Sequence, residues 1–339
     1  MAYISFQPQD YFTTHLYSGN DTTNNQQVGL TPDLVWVKCR NSAVPSHYIV
    51  DKVRGNEKYI SSNATTAEQT DGNTFELVSG GFNLAGGNGW TNLTGRTYAS
   101  WNWKANGAGS SNTDGSITST VSANTTSGFS INLFTATGSA GTIGHGLNAV
   151  PKMILVKDTN GTGSWQVYHA SLGATKYLAL NENIAAGTAS NRWNDTTPTS
   201  SVFSIGSEWS SGKTLIAYCF AQKSGFSSMG SYVGNGSTDG SFIYTGFKPA
   251  FVIIKLYSTG AENWRMFDNK RIGYNPNNYK LYPSLTSAEG TSDLIDLYSN
   301  GFKPRSTSVE FNGSGNGYIY MAFSEESIVS SNGVPALAR

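Results

Sequence analysis

The residues that could do chemistry in this 339-residue chain are few and far apart. Four histidines, His15, His47, His145 and His169, lie in separate segments, and none is paired at the short spacing with which imidazoles share a zinc ion. No metal and no cofactor is therefore assigned. Asp114 in "NTDGS" and Asp239 in "STDGS" each precede a strand and could open a Ca²⁺ loop, but each stands alone where Ca²⁺ wants several carboxylates. A tight Asp-Gly turn is the expected reading of both. Glycoside hydrolysis needs two carboxylates facing one bond. Glu57, Glu68, Glu76, Glu208, Glu262 and Glu289 are available, yet none recurs in all three of the repeats described below and none forms a recognisable pair. "GNGSTDG" has neither the lysine nor the following helix of a phosphate-binding loop. Cys39 and Cys219 are too few for a disulfide framework and are expected to be buried free thiols. No catalytic residue is assigned, and the chain is not expected to be an enzyme.

Binding is better supported than turnover. Trp90 in "GGNGWTNLTG", Trp209 in "GSEWSSG" and Phe311 in "EFNGSGNG" are aromatics among small polar residues. Such a face beside Asn and Ser suits a sugar ring, which stacks and hydrogen-bonds at once. These three are the candidate glycan contacts. The competing expectation is that they plug the ends of folded modules, because recurrence is required by packing as much as by binding.

What must hold these loops is a framework of strands repeated three times. "GLTPDLVWVK" from Gly29 returns as "GLNAVPKMILVK" from Gly146 and "GFKPAFVIIK" from Gly246. Proline precedes the lysine by six residues each time, at Pro32, Pro151 and Pro249. The apolar runs between them are of strand length and rich in β-branched residues, which suits a strand buried on both faces. A return strand follows, beginning at His47, Trp165 and Trp264. A closing strand led by Gly95, Gly212 and Gly315 puts Trp101 and Trp103, Tyr218 and Phe220, Met321 and Phe323 on one face, as in a half-buried strand. A symmetric hairpin register sets Lys38 opposite His47, Lys157 opposite Trp165 and Lys255 opposite Trp264. The ammonium is then expected over the facing ring.

The pitch of about 100 residues matches a β-sandwich. The expected fold is all-β, with three tandem antiparallel β-sandwich modules of jelly-roll-like form: residues 1–105, 106–222 and 223–326, then a C-terminal tail, 327–339. Each module is expected to be a domain. "ATTAEQ" at Ala64 and "LTSAEG" at Leu285 read as loop turns. Charged residues make up 13% of the chain, about half the usual share, and the net charge is zero, so the attraction that drives nucleic-acid binding is absent. No run of apolar residues is long enough to span a bilayer and no signal peptide is evident, so neither membrane insertion nor host secretion is expected.

"FQPQDYFTTHLYSGN", the three proline-to-lysine phrases, "SITSTVSANTTSGFSI", "YVGNGSTDGSFIYTGF" and "PALAR" together resemble repeat proteins encoded among the virion and tail genes of marine tailed bacteriophages, especially those of cyanobacteria. The resemblance spans the chain and rests on structural motifs, so it carries over no functional residue. Cys39 stands where such proteins often have Asn. The resemblance implies a virion protein of β-sandwich type; together with the repetition and the aromatic loops, the expected role is a tail-fibre or tail-associated adhesin that is homo-oligomeric and contacts other virion proteins and a host-surface glycan. A capsid decoration or other architectural protein is the alternative, and a polysaccharide-degrading tail protein the second.

Overall fold

The computed structural model describes residues 6–325 apart from 73, 278, 293 and 294, so the expected tail lies outside the described residues. The protein is all-β and built from antiparallel sheets. Each proline-to-lysine phrase forms a strand, Leu34–Cys39, Met153–Asp158 and Phe251–Leu256. On one side it pairs with the return strand, Tyr48–Asp51, Gln166–His169 or Arg265–Asp268. On the other it pairs with the closing strand, Thr97–Trp103, Thr214–Phe220 or Gly317–Phe323. A leading strand, Phe12–Ser18, Phe129–Thr135 or Ser227–Val233, lies beyond the closing strand and gives all three modules the order leading, closing, phrase, return. The connections from Trp103 to Ser110 and from Phe220 to Ser227 contain the two expected boundaries.

A smaller sheet covers one face of each main sheet. It comprises Asn24–Gln27, Gly81–Leu84 and Phe75–Val78 in the first module, Gly141–Gly144 with Val202–Ile205 in the second, and Ile243–Tyr244, Gly301–Pro304 and Ile295–Tyr298 in the third. Alternation along each strand decides what goes where. Val35, Val37 and Cys39 enter the first sandwich, Ile154 and Val156 the second, and Val252, Ile254 and Leu256 the third. Gly95, Gly212 and Gly315 turn the chain two residues before the closing strands at φ of +80°, +85° and +75°, where a side chain is strained, and no atom lies near a Cβ built there. Backbone shape rather than space requires glycine at these three turns.

The other face of each main sheet corrects the expectation of a half-buried closing strand and of separate domains. Every residue of the closing strand from its second position onward is buried in all three modules. The outer faces meet in one central core that takes Leu34 and Trp36, Met153 and Leu155, and Phe251 and Ile253 from the phrase strands. Trp103, Phe220 and Phe323 occupy the same position of the three closing strands and form a triangle, with ring centroids 6.3, 5.8 and 5.8 Å apart. The large aromatics that period two placed on one face therefore serve the junction of three modules and not each module's own sandwich. A cavity of about 10 Å³ remains beside the triangle, lined by apolar side chains including Trp36, Leu155, Trp165 and Met321. Being apolar and about one water in size, it stays dry and offers no room to a ligand.

Because the central core belongs to all three modules, they should unfold together. Calorimetry is expected to show one transition, and Phe220→Ala should lower it as a whole by about 3–5 kcal/mol, the cost of removing a fully buried aromatic. Three resolved transitions, with only the second shifted by the substitution, would contradict the shared core.

Candidate functional site

The polar groups of the strands gather where the modules meet. Three sets of contacts recur there with approximate threefold symmetry. The loop after each return hairpin clasps the end of the next module's phrase strand: Glu68 N–H donates to Thr159 O (2.8 Å), Ala186 N–H to Tyr257 O (3.0 Å) and Glu289 N–H to Arg40 O (2.7 Å). The acceptors occupy one equivalent position, two residues beyond each phrase lysine. "ATTAEQ" and "LTSAEG" are non-helical, as expected, and form two of the three clasps.

In the second set, the residue just before each return strand donates back across the same seam. Trp165 Nε1 donates to Ser61 O (2.9 Å) and Trp264 Nε1 to Ala179 O (2.8 Å). His47 does the same with Nε2 to Tyr282 O (2.9 Å). Its tautomer follows from its neighbour. Trp36 Nε1 can only donate and lies 2.8 Å from His47 Nδ1, so the proton sits on Nε2. Burial holds the imidazole pKa well below its ordinary value, and the neutral ring stands in for an indole.

The third set joins the last residue of each return strand to a neighbouring closing strand. Tyr218 donates to Asp51 Oδ2 (2.7 Å) and Trp101 Nε1 to Asp268 Oδ2 (3.2 Å). At the remaining seam Met321 occupies the place of Trp101 and Tyr218 and has no proton to give. Its partner is His169, not an aspartate, and bonds Tyr320 O (3.2 Å) instead. Burial lowers the His169 pKa to about 4, so the ring is neutral. Asp51 also holds Arg54 (2.5 Å) and Asp268 holds Arg271 (2.6 Å), all four side chains being almost wholly buried. Glu68 and Glu289 close these clusters through Arg54 (3.2 Å) and Arg271 (3.3 Å). Two of the glutamates considered for sugar cleavage are thus each bound to an arginine of their own module, beside a structural joint. The sequence signal for these clusters was the D-x-x-R spacing in "DKVR" and "DNKR", present in the first and third modules and absent from the second.

The lysine register holds, but the expected contact does not. Val37 pairs with Tyr48, Val156 with Gln166 and Ile254 with Arg265, which sets the lysines opposite His47, Trp165 and Trp264. No ammonium lies over a facing ring. Lys38 Nζ donates to Cys39 O and Pro45 O (both 3.0 Å), Lys157 Nζ to Asp158 O (2.7 Å) and Thr65 O (3.2 Å), and Lys255 Nζ to Glu262 O. The reason is competition for both partners. The Trp165 ring lies against Tyr218, at 6.2 Å between centroids, while the hairpin carbonyls offer a buried ammonium the strong acceptors it needs. Desolvation lowers all three lysine pKa values to about 8.

Of the two expectations held for the candidate sugar contacts, burial at two of the three positions agrees with the end plug. Phe311 is 0% and Trp209 7% exposed, each packed within its module's own sandwich core. Trp90 is half-buried, edge-on to Tyr59 at 5.0 Å and to Tyr48 at 6.2 Å. These rings plug module ends and leave no open face at two of the three positions. Cys39 and Cys219 are free and buried. Asp239 pairs with Lys303 (2.6 Å) and Arg305 (2.8 Å), and Asp114 accepts from Asn112 (2.9 Å). Among the described residues no group of three or more His, Cys, Asp or Glu is placed to hold a metal ion.

Three β-sandwich modules interlocked face to face about a common apolar centre define the class of protein. The chain belongs to the family described as Domain of unknown function (DUF7483), whose model matches residues 7–327 and so takes in all three modules. No curated protein and no solved structure matches it.

The buried lysines make a pH test of this geometry. Between about pH 8 and 10.5 the folded lysine has shed the proton that the unfolded chain keeps, so the unfolded state binds more protons and stability rises with pH. Denaturant titrations of wild type and Lys157→Met should therefore show wild type gaining on the variant from pH 8 to 10. A pH-independent difference would mean that the Lys157 ammonium reaches water.

Proposed function

We propose that this protein is a structural component of a bacteriophage virion that acts by attachment and performs no turnover. The observation that carries this reading is the use made of the buried polar groups. Both faces of the main sheets and the Asp–Arg, His and Lys groups between them are committed to a rigid three-module block. Such a block suits a particle that must survive outside the cell and present loops at fixed separations. The resemblance to virion and tail proteins of marine phages supplies the setting, with assembly in the host cytoplasm and homo-oligomeric contacts to other virion proteins.

The second reading is a capsid decoration or other purely architectural protein. The burial of Trp209 and Phe311 favours it, since these loops lose the open rings that adhesion through module ends would use.

Purified phage particles provide the test. The chain should be found by mass spectrometry in fixed proportion to the major virion proteins, and an antibody against it should label the intact particle. The purified protein, added in excess, should slow adsorption of the phage to host cells. Absence from washed particles would remove the virion reading. Presence with no effect of protein or antibody on adsorption would leave only the architectural one.

A further inference from the structure

The three modules are alike at the centre and unlike outside. In the third module the smaller sheet turns Ile243, Phe302, Ile295 and Leu297 into the sandwich and presents the alternate residues outward. Tyr244 and Tyr298 are both paired to Gly301, from the strands on either side of it. They project from the same face, two strand spacings or about 10 Å apart. Phe242 shares that face. A Cβ at Gly301 would meet first the Ile243 carbonyl oxygen and then the tip of the Phe242 ring at 2.7 Å, so glycine is required by the close strand approach and also leaves the ring its place across the strand. Phe242 also meets Tyr298 edge to face at 5.8 Å. The three rings remain 47%, 67% and 37% exposed for Phe242, Tyr244 and Tyr298.

Beside the rings, on the same face, stands a charged rim. Lys303 and Arg305 follow Gly301 at alternate positions, and Asp296 faces Lys303 across the ladder. Arg305 bonds Asp239 (2.8 Å) and Asp296 (3.4 Å), Lys303 bonds Asp239 (2.6 Å), and the Tyr298 hydroxyl donates to Asp296 (2.9 Å). Two cations and two anions cancel, so the rim carries hydrogen-bonding groups with no net charge.

The fold does not require these rings. At the matching places the first module has Asn25, Gln27 and Val78 around Gly81, and the second has Thr142 and Gly144 beside Val202 in a sheet of two strands, without a third strand among the described residues to carry a counterpart of Tyr298. Their exposed area is on the order of 300 Å², given ~150–250 Å² per aromatic side chain. That is well short of the ~800 Å² per partner of a stable protein interface. It does match one or two sugar rings. We infer that the outer face around Gly301 is a binding site for a neutral glycan, with Tyr244, Phe242 and Tyr298 stacking on sugar rings and Lys303, Arg305 and Asp296 meeting their hydroxyls. This rests on the attachment reading and names its ligand class. It also moves the site from the module ends to one sheet face of one module, so multivalent attachment would come from copies of the chain in the particle rather than from the three modules.

Affinity gel electrophoresis of the full chain through hydroxyethylcellulose, laminarin, galactomannan and an acidic alginate provides the test. Wild type should be retarded by at least one of the neutral polymers, in high salt as in low. Tyr244→Ala/Tyr298→Ala should weaken retention by about tenfold or more with an unchanged melting temperature, as expected of exposed rings, while Tyr244→Phe should retain it. No retardation by any neutral polymer, retention unchanged in the double variant, or binding confined to alginate at low salt would each overturn the proposal. The attachment reading is separable. If the double variant no longer competes for adsorption although wild type binds no polysaccharide, the face serves a protein receptor and the glycan is excluded while attachment stands.

Discussion

The triangle of Trp103, Phe220 and Phe323 is the constraint from which the rest of the architecture follows. Each main sheet is apolar on both faces, and its own smaller sheet can cover only one. The second face would otherwise expose Trp101 and Trp103, Tyr218 and Phe220, or Met321 and Phe323 to water, at a cost of ~1.5–3 kcal/mol for each side chain of this size. Three such faces brought together remove that cost at once. No module can supply this cover for itself, because the covering surface is the other two.

Apolar faces alone would set no register, since burial is nearly indifferent to small slides and rotations. The polar sets at the seams are directional and fix the arrangement. The buried pairs Asp51–Arg54 and Asp268–Arg271 each lie within one module, but the bonds that Tyr218 and Trp101 donate to those aspartates cross the seams, and leaving such buried groups unmatched costs about 1–3 kcal/mol each, so an alternative docking of the modules is penalised. The third seam shows the same logic by substitution. Where Met321 cannot donate, an aspartate would be buried without its partner, and the neutral His169 bonding Tyr320 O avoids that charge.

The sequence made the modules legible because local rules govern them. The proline-to-lysine phrases, the return strands and the glycine-led closing strands all respond to alternation and turn chemistry within a few residues. Even the hairpin register of Lys157 and Trp165 could be counted. What lay beyond it was the destination of a face. Period two says that Tyr218 and Phe220 share a side, but not whether that side meets a module's own second sheet or two neighbours. Lys157 was assigned to the indole because register fixes which residues face each other but not which acceptor a buried ammonium takes: it bonds Asp158 O beside it and Thr65 O of another module. Trp209 and Phe311 left two readings open for a similar reason: glycine and serine around an aromatic describe an end plug as well as they describe a binding loop. The outer rings were missed because Phe242, Tyr244 and Tyr298 look like ordinary strand residues until pairing sets two of them beside Gly301.

Joining three copies in one chain changes what the copies are free to become. In a homotrimer every outer face would be the same, so a residue added for binding would appear three times and any residue that strained the centre would do so three times. Here the inner positions must still fit one another across the triangle and the three hydrogen-bonded seams, and the one departure, Met321 with His169, is itself a matched pair of changes. The outer positions answer to no symmetry. Gly81, Val202 and Gly301 mark the same place on three smaller sheets, and their neighbours range from Gln27 and Val78 through Gly144 to Tyr244 and Tyr298. Differences among the modules at exposed positions, more than what they share, are therefore where this chain's individual function has to be sought.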